Sequence, residues 1–309
     1  MGLFDMFKGP AKDPEAAAAE QRRQADIMMS LRGGRVPTST MERLQGAAAG
    51  RLPWMATLSP AELMIARSHG LKPIAAVSAT SWLHYGWSWT EGHAQGWETA
   101  LQRLAQEARA CGANAVLDVK MRTIPVQVEE SMDFSLVGTA VRVEGLPASS
   151  DPIIATVPAL EFVKLLEADV VPTGIAIGAH YEWLTDWRGT AAGMSWYNNE
   201  SWELSNLWET VRQRAHAQLR QSAMKRGNGV LAHINFSQMF ERERDVNDVK
   251  LKEYLARHIV IATTVDARRG TPLPHEIKMV VDMHAGKTPL TGTTRHHQSY
   301  ATNEQDGAI

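Results

Sequence analysis

The side chains able to hold a metal or move a proton are scattered along this chain. The first half offers His84, His93, Cys111, Asp118 and the pair Glu129–Glu130; the second offers His180, Glu182, Asp186 and His233. A stable zinc or copper site needs three or four nitrogen, sulfur or carboxylate ligands converging at about 2 Å. None of these residues has the CxxC or HxxxH spacing that puts two ligands on one turn. Cys111 is the only cysteine, so no disulfide framework and no multi-cysteine metal centre forms within one chain. It falls in the last turn of a predicted helix, whose negative end raises a thiol pKa and suppresses its nucleophilicity. No nucleophile elbow, phosphate-binding loop or dinucleotide glycine pattern follows a strand, so the sequence points away from an enzyme.

Tryptophan is the compositional anomaly, with ten residues. Trp82, Trp87, Trp89 and Trp97 form one group, Trp183, Trp187, Trp196, Trp202 and Trp208 another, and Trp54 precedes both. In each group they crowd the connection between a predicted strand and a long helix. Indoles so placed stack on a flat ligand or anchor a protein contact. The ligand or interface candidates are therefore Trp82, Trp87, Trp89, Tyr181, Trp183 and Trp187. The segment from Trp183 to Ser201, with Gly189, Gly193, Asn198 and Asn199, reads as an exposed loop where a partner could dock. The run Glu241 to Asp245, alternating in sign, reads as a solvated turn or short helix.

The elements that must carry these residues occur twice. Pro73 and Pro172 each follow a short helix that opens near a glutamate, Glu62 or Glu161, and each precedes an apolar strand. Gly112 and Gly227 each close a long helix and lead into a strand; Thr139 and Thr263 each sit in a later strand. The expected unit is helix, strand, helix, strand, strand, near 60–69, 73–84, 95–111, 114–124 and 133–143. It recurs near 159–168, 172–182, 202–226, 229–238 and 257–266. On this alignment Asp118 and His233 occupy equivalent strand positions. The fold class is α+β: two tandem β-α-β-β two-layer units, each an antiparallel three-stranded sheet backed by a long helix, with an N-terminal helical arm. A predicted helix over 13–31 is followed by a linker over 38–58. The divisions are 1–58 (arm and linker), 59–146 (first unit), 147–284 (second unit) and 285–309 (a polar, mobile tail).

Leu71 through Gly86, Cys111-Gly112-Ala113-Asn114-Ala115-Val116-Leu117 and Gly138-Thr139-Ala140-Val141 together resemble the bacterial YbjQ-type family. The resemblance covers 60–145, and 158–268 looks like a diverged second copy. It implies a dodecin-subunit-like unit that assembles into pentameric rings, and a family name that carries heavy-metal binding. His84 stands at the family's recurring histidine and is the best single metal candidate; no other cofactor is implied. The expected partner is the chain itself, five chains stacking their units in two rings.

With 32 basic and 34 acidic residues the net charge is −2, which leaves no basic field to draw in nucleic acid. No run of about 18 apolar residues spans a membrane, and no secretory signal opens the chain, so a cytoplasmic protein is expected. Leu3, Phe4 and Phe7 form a short apolar arm suited to a protein partner or a membrane surface. The function read from sequence is a non-enzymatic assembly protein, the alternative a module that sequesters a metal or small molecule.

Overall fold

The computed structural model describes residues 14–84, 88–126, 131–146, 151–186, 201–246 and 249–267. Helix α1 (Pro14–Arg32) has proline in its first turn and an alanine run behind it. Where the sequence reads a linker, a second helix forms, α2 (Thr38–Ala48). Its start is fixed by Asp26 of α1, whose carboxylate accepts from the Thr38 amide at 2.8 Å and the Thr38 hydroxyl at 2.9 Å. Burial of Leu44 in the main core supplies the rest; this tertiary contact overrides a segment rich in Ser, Thr and Gly.

The first unit runs α3 (Pro60–Ser68), β1 (Leu71–His84), α4 (Trp89–Ala110), β2 (Ala115–Val126) and β3 (Ser131–Val143). A two-residue strand, β4 (Ile153–Ile154), follows. The second unit runs α5 (Ala159–Glu167), β5 (Val170–Asp186), α6 (Trp202–Ala223), β6 (Gly229–Val246) and β7 (Val249–Ala267). The α+β class is as expected. The strand orders are β1-β3-β2-β4 and β5-β7-β6, antiparallel except for the parallel pair of β2 with β4. The first sheet thus has a fourth strand that the sequence gives no sign of.

Registers coincide down to their irregularities. Both first strands bulge just after the proline, between Pro73 and Ala75 and between Pro172 and Gly174. In the first sheet Asn114 locks the start of β2 to the end of β3: its amide nitrogen donates to the Val143 carbonyl at 3.0 Å and its oxygen accepts from the Val143 amide at 2.8 Å. Asn228 makes the same pair with Ala267, at 2.6 and 3.0 Å. This corrects the sequence alignment by one residue. Asn114 corresponds to Asn228, so Asp118 corresponds to Ala232 and His233 to Val119. The reason lies at the helix end: Gly112, at φ +71°, closes α4 with the Ala113 amide on the Ala108 carbonyl, whereas Gly227 is no left-handed cap. Gly227 instead lets the chain pass β7, since a Cβ there would lie 2.3 Å from the Val265 carbonyl oxygen.

Two further expectations are corrected. Trp183 to Asp186 belong to β5, not to a loop, and Glu241 to Asp245 belong to β6, not to a turn. Opposite charges across the hairpin hold this ribbon extended, with Arg242 directly opposite Glu253 at 2.6 Å and Lys252 diagonal to Glu241 at 2.7 Å.

Helix α4 lies between the sheets. One side packs on Val77, Val116, Phe134 and Ala140 of the first, and β5 of the second covers the other through Ile175 and Ala179, all in one apolar cluster. Helix α6 covers the opposite face of the second sheet through Leu219, Ala223 and Val260.

Candidate interaction site

Helix α4 starts at Ser88, whose hydroxyl accepts from the Glu91 amide at 3.2 Å. From that anchor Trp89, His93 and Trp97 descend at intervals of four residues, on one side of the helix. They meet Phe134 of β3 and Tyr181 of β5. Ring centroids lie 5.1 Å apart for Trp97 and Phe134, 5.2 Å for His93 and Phe134, 5.7 Å for His93 and Tyr181, and 6.0 Å for Trp89 and Tyr181. Close approach depends on Gly96, where a Cβ would sit 2.2 Å from the Phe134 ring. The Thr90 hydroxyl accepts from the Tyr181 amide at 3.2 Å, tying the edge of β5 to the start of α4.

His93 is fully buried in this cluster. Its Nε2 accepts from the Trp97 indole at 3.2 Å, which assigns the proton of the neutral ring to Nδ1, an atom without a hydrogen-bond partner among the described residues. Burial, with the positive charge of Arg257 behind it, lowers its pKa from 6.5 to about 3. The ring is neutral at any ordinary pH and acts as a polar member of an aromatic core.

Of the expected ligand or interface residues, the structure brings Trp89 and Tyr181 together at this junction. Trp82 lies near the end of β1, 58% exposed. Trp183 stands on β5 with the Arg242 guanidinium 4.0 Å over its ring. Trp87, Trp187, Leu3, Phe4 and Phe7 lie outside the described residues, as do Glu129–Glu130, residues 187–200 and the tail from 268. His84 ends β1 opposite Ser131 and His233 falls at a β6 bulge; the side chains of both lie outside the described set.

The donors that are described do not converge. Cys111 is buried at the end of α4, donates to the Ala108 carbonyl at 3.2 Å, and has its thiol pKa raised, burial being the main cause. It sits 18 residues along the helix from His93, about 27 Å at 1.5 Å per residue. Asp118, at φ +52°, forms the β2 bulge, where the amides of Asp118 and Val119 donate to the carbonyls of Val157 and Ala155. Its carboxyl pKa is raised by burial although Lys120 lies 3.6 Å away. Asp186 is buried at the end of β5, opposite Lys252. His180 is held by Glu182 at 3.2 Å and Arg214 at 3.3 Å, and Arg214 reaches Glu182 at 2.7 Å.

Sequence inspection missed His258, which pairs with His180 across the strands and receives or gives a 2.6 Å hydrogen bond between Nδ1 and the Ser237 hydroxyl. Burial and the nearby His216 and Arg212 lower its pKa to about 4. Only cross-strand register could have found it. Even with this residue included, no three or more His, Cys, Asp or Glu side chains are placed to hold a metal ion among the described residues.

The second feature of the junction is strand β4. Its Ile153 amide donates to the Asn114 carbonyl at 3.0 Å, and the next residue, Ala155, donates to the Val116 carbonyl at 2.9 Å. The hydroxyl of Thr156 then meets that of Thr263 in β7 at 2.8 Å. One short segment is thus stitched to both sheets. The carboxylate of Glu62 spans the same joint, accepting from the amide of Ser59, just before its own helix, at 2.8 Å and from the Ala159 amide of α5 at 3.1 Å. Burial raises the Glu62 pKa, but these hydrogen bonds outweigh it and the net direction is downward.

Residues 87–144, from the start of α4 to the end of β3, match the model of the YbjQ family, described as "Putative heavy-metal-binding". That stretch of the chain resembles the YbjQ family, whose description names binding and no reaction. No curated protein and no solved structure matches the chain. Tested on the described side chains, the heavy metal of that description finds no ligand set: His93 is engaged by Trp97, Cys111 is buried at the far end of the helix, and Asp118 faces Lys120. Among the described residues no helix is long and apolar enough to cross a membrane.

Proposed function

We propose that this protein is a non-enzymatic assembly module: two YbjQ-like units in tandem, the second a diverged copy, that self-associate through surfaces of the kind joining them within the chain. A ring or stacked-ring barrel, with five chains favoured, is what the resemblance to the family adds. The observation that carries the reading is the joint itself. The first sheet gains its fourth strand from the segment that introduces the second unit, and the second sheet has one face covered by α4 of the first. Each unit is completed by its neighbour, as expected of sheets too small to cover their own faces and edges.

A protein partner at the N-terminal arm or along 183–201 belongs to the same proposal as a secondary role, whereas sequestration of a metal at His84 or of a small molecule is the alternative reading. Native mass spectrometry of untagged protein at micromolar concentration tests it. The expected spectrum is a discrete closed oligomer without stoichiometric zinc or copper. A monomer alone would end the assembly reading, and a bound metal lost on His84→Ala would replace it with sequestration.

A further inference from the structure

We infer that copies of this chain join head to tail by strand addition, with Trp54–Met55 of one copy pairing in parallel along the outer edge of β6 of the next. The inference deepens the assembly reading and rests on it. It arises from a contact already made once in the molecule. Pro152-Ile153-Ile154-Ala155-Thr156-Val157 has a counterpart 99 residues earlier in Pro53-Trp54-Met55-Ala56-Thr57-Leu58. The two segments share their anchor as well as their sequence. The Thr57 amide and hydroxyl bond the Thr139 hydroxyl at 2.7 and 2.9 Å, as the Thr156 amide and hydroxyl bond that of Thr263 at 3.1 and 2.8 Å. Ile153 and Ile154 pair with Ala115 and Val116 of β2. By the asparagine register the equivalent edge of the second sheet is Gly229 and Val230.

Burial divides along this line. Ile154 is 8% exposed and Val163, on the following helix, 5%; their counterparts Met55 and Met64 are 63% and 76% exposed, and Trp54 is 56% exposed. On the receiving side Val116 is fully buried while Val230 is 38% exposed. The residues left bare are thus the counterparts of those that close the internal joint, at both ends of the chain's repeat. Charge complementarity is not needed, because donor and acceptor are apolar and the bonds run from backbone to backbone.

Two other edges carry side-chain caps. β1 is capped by Arg43 on the Ala76 carbonyl, Arg103 on the Thr80 carbonyl and Glu107 on the Ser78 amide. β5 is capped by Gln218 on the Ala179 amide and Thr90 on the Tyr181 amide. Among the described residues no side chain caps Gly229 or Val230 of β6. One bond of the internal joint is not repeated: Pro60 stands where Ala159 donates to Glu62, so the contact between copies is the weaker version. A donor at one end and an acceptor at the other make a heterologous contact, which closes only as a ring.

Single-cysteine variants Met55→Cys and Val230→Cys, mixed and oxidised, test the register, because paired strand residues lie within disulfide reach and buried Cys111 does not compete. A disulfide in the mixture and in neither variant alone is expected. Met55→Glu and, independently, Val230→Pro should each weaken association about 100-fold or more by sedimentation. The proline removes an outward amide and leaves the β6–β7 ladder intact. Undiminished assembly of both variants, with no mixed disulfide, would overturn strand addition while leaving the assembly reading standing. A wild-type chain that stays monomeric would overturn both.

Discussion

Helices α4 and α6 are each 22 residues long and each follows the first strand of its unit, yet they are different objects. Helix α6 buries Leu207, Val211, Ala215, Leu219 and Ala223, a single stripe at four-residue spacing. Helix α4 buries His93, Gly96, Trp97, Ala100, Leu104, Ala105 and Ala108, which wraps more than one face. The difference follows from position. A helix with a sheet on each side needs bulk on both, and Trp97 and His93 supply it against Phe134 of the first sheet, with His93 also meeting Tyr181 of the second. A helix with a sheet on one side can be polar elsewhere and approach closer. Gly178 of β5 permits that approach, since a Cβ there would fall 2.0 Å from the Ala215 carbonyl oxygen. Ala79 holds the matching place beneath α4.

Three perturbations sharpen this contrast. The largest effect is expected from Trp97→Ala, which empties the middle layer and should cost about 4 kcal/mol in chemical unfolding, against about 3 kcal/mol for Leu207→Ala on the one-sided helix. Equal costs would mean that α4 is not the central layer. Next, Gly178→Ala should cost about 2 to 3 kcal/mol, because a backbone carbonyl rather than a side chain must move. Its mirror, Ala79→Gly, should cost about 1 kcal/mol. A neutral Gly178→Ala would show that α6 does not sit so close.

The third effect is one of pH, spread over several pH units. His93 keeps a pKa of about 3 in the folded chain against 6.5 ordinarily, so the unfolded state binds the extra proton. Its contribution is complete above pH 6.5 and is lost as pH falls toward 3, with a slope of at most about 1.4 kcal/mol per pH unit. His258, lowered to about 4, adds in the same direction. Replacing His93 with Phe should flatten the stability profile over that window relative to wild type. An unchanged slope would show the ring to be solvated.

Much of the fold could be read in advance because its signals are local. Prolines at 73 and 172, helical spacing in the long helices and the glycine at 112 are properties of neighbouring residues. What escaped reading depends on distant partners. Helix α2 exists because Leu44 finds the core and Asp26 finds Thr38. The strand Ile153–Ile154 exists because β2 has a free edge beside it. The charged run at 241–245 looks like a turn until Glu253 and Lys252 are placed across from it. The candidate site divides in the same way. Trp89 and Tyr181 stand out as aromatic residues near a helix start, whereas His93 and His258 acquire their character only from what surrounds them.

The sequence by itself determined the α+β class and the helix, strand, helix, strand, strand order within 60–143 and 159–267, since these follow from periodicity and chain-breaking residues. Tertiary structure decided the register, through one asparagine amide in each sheet, and decided which apolar residues are covered. Met55 and Ile154 are similar in type and placed alike in their segments. Only the presence of a neighbouring strand edge buries one and leaves the other in water.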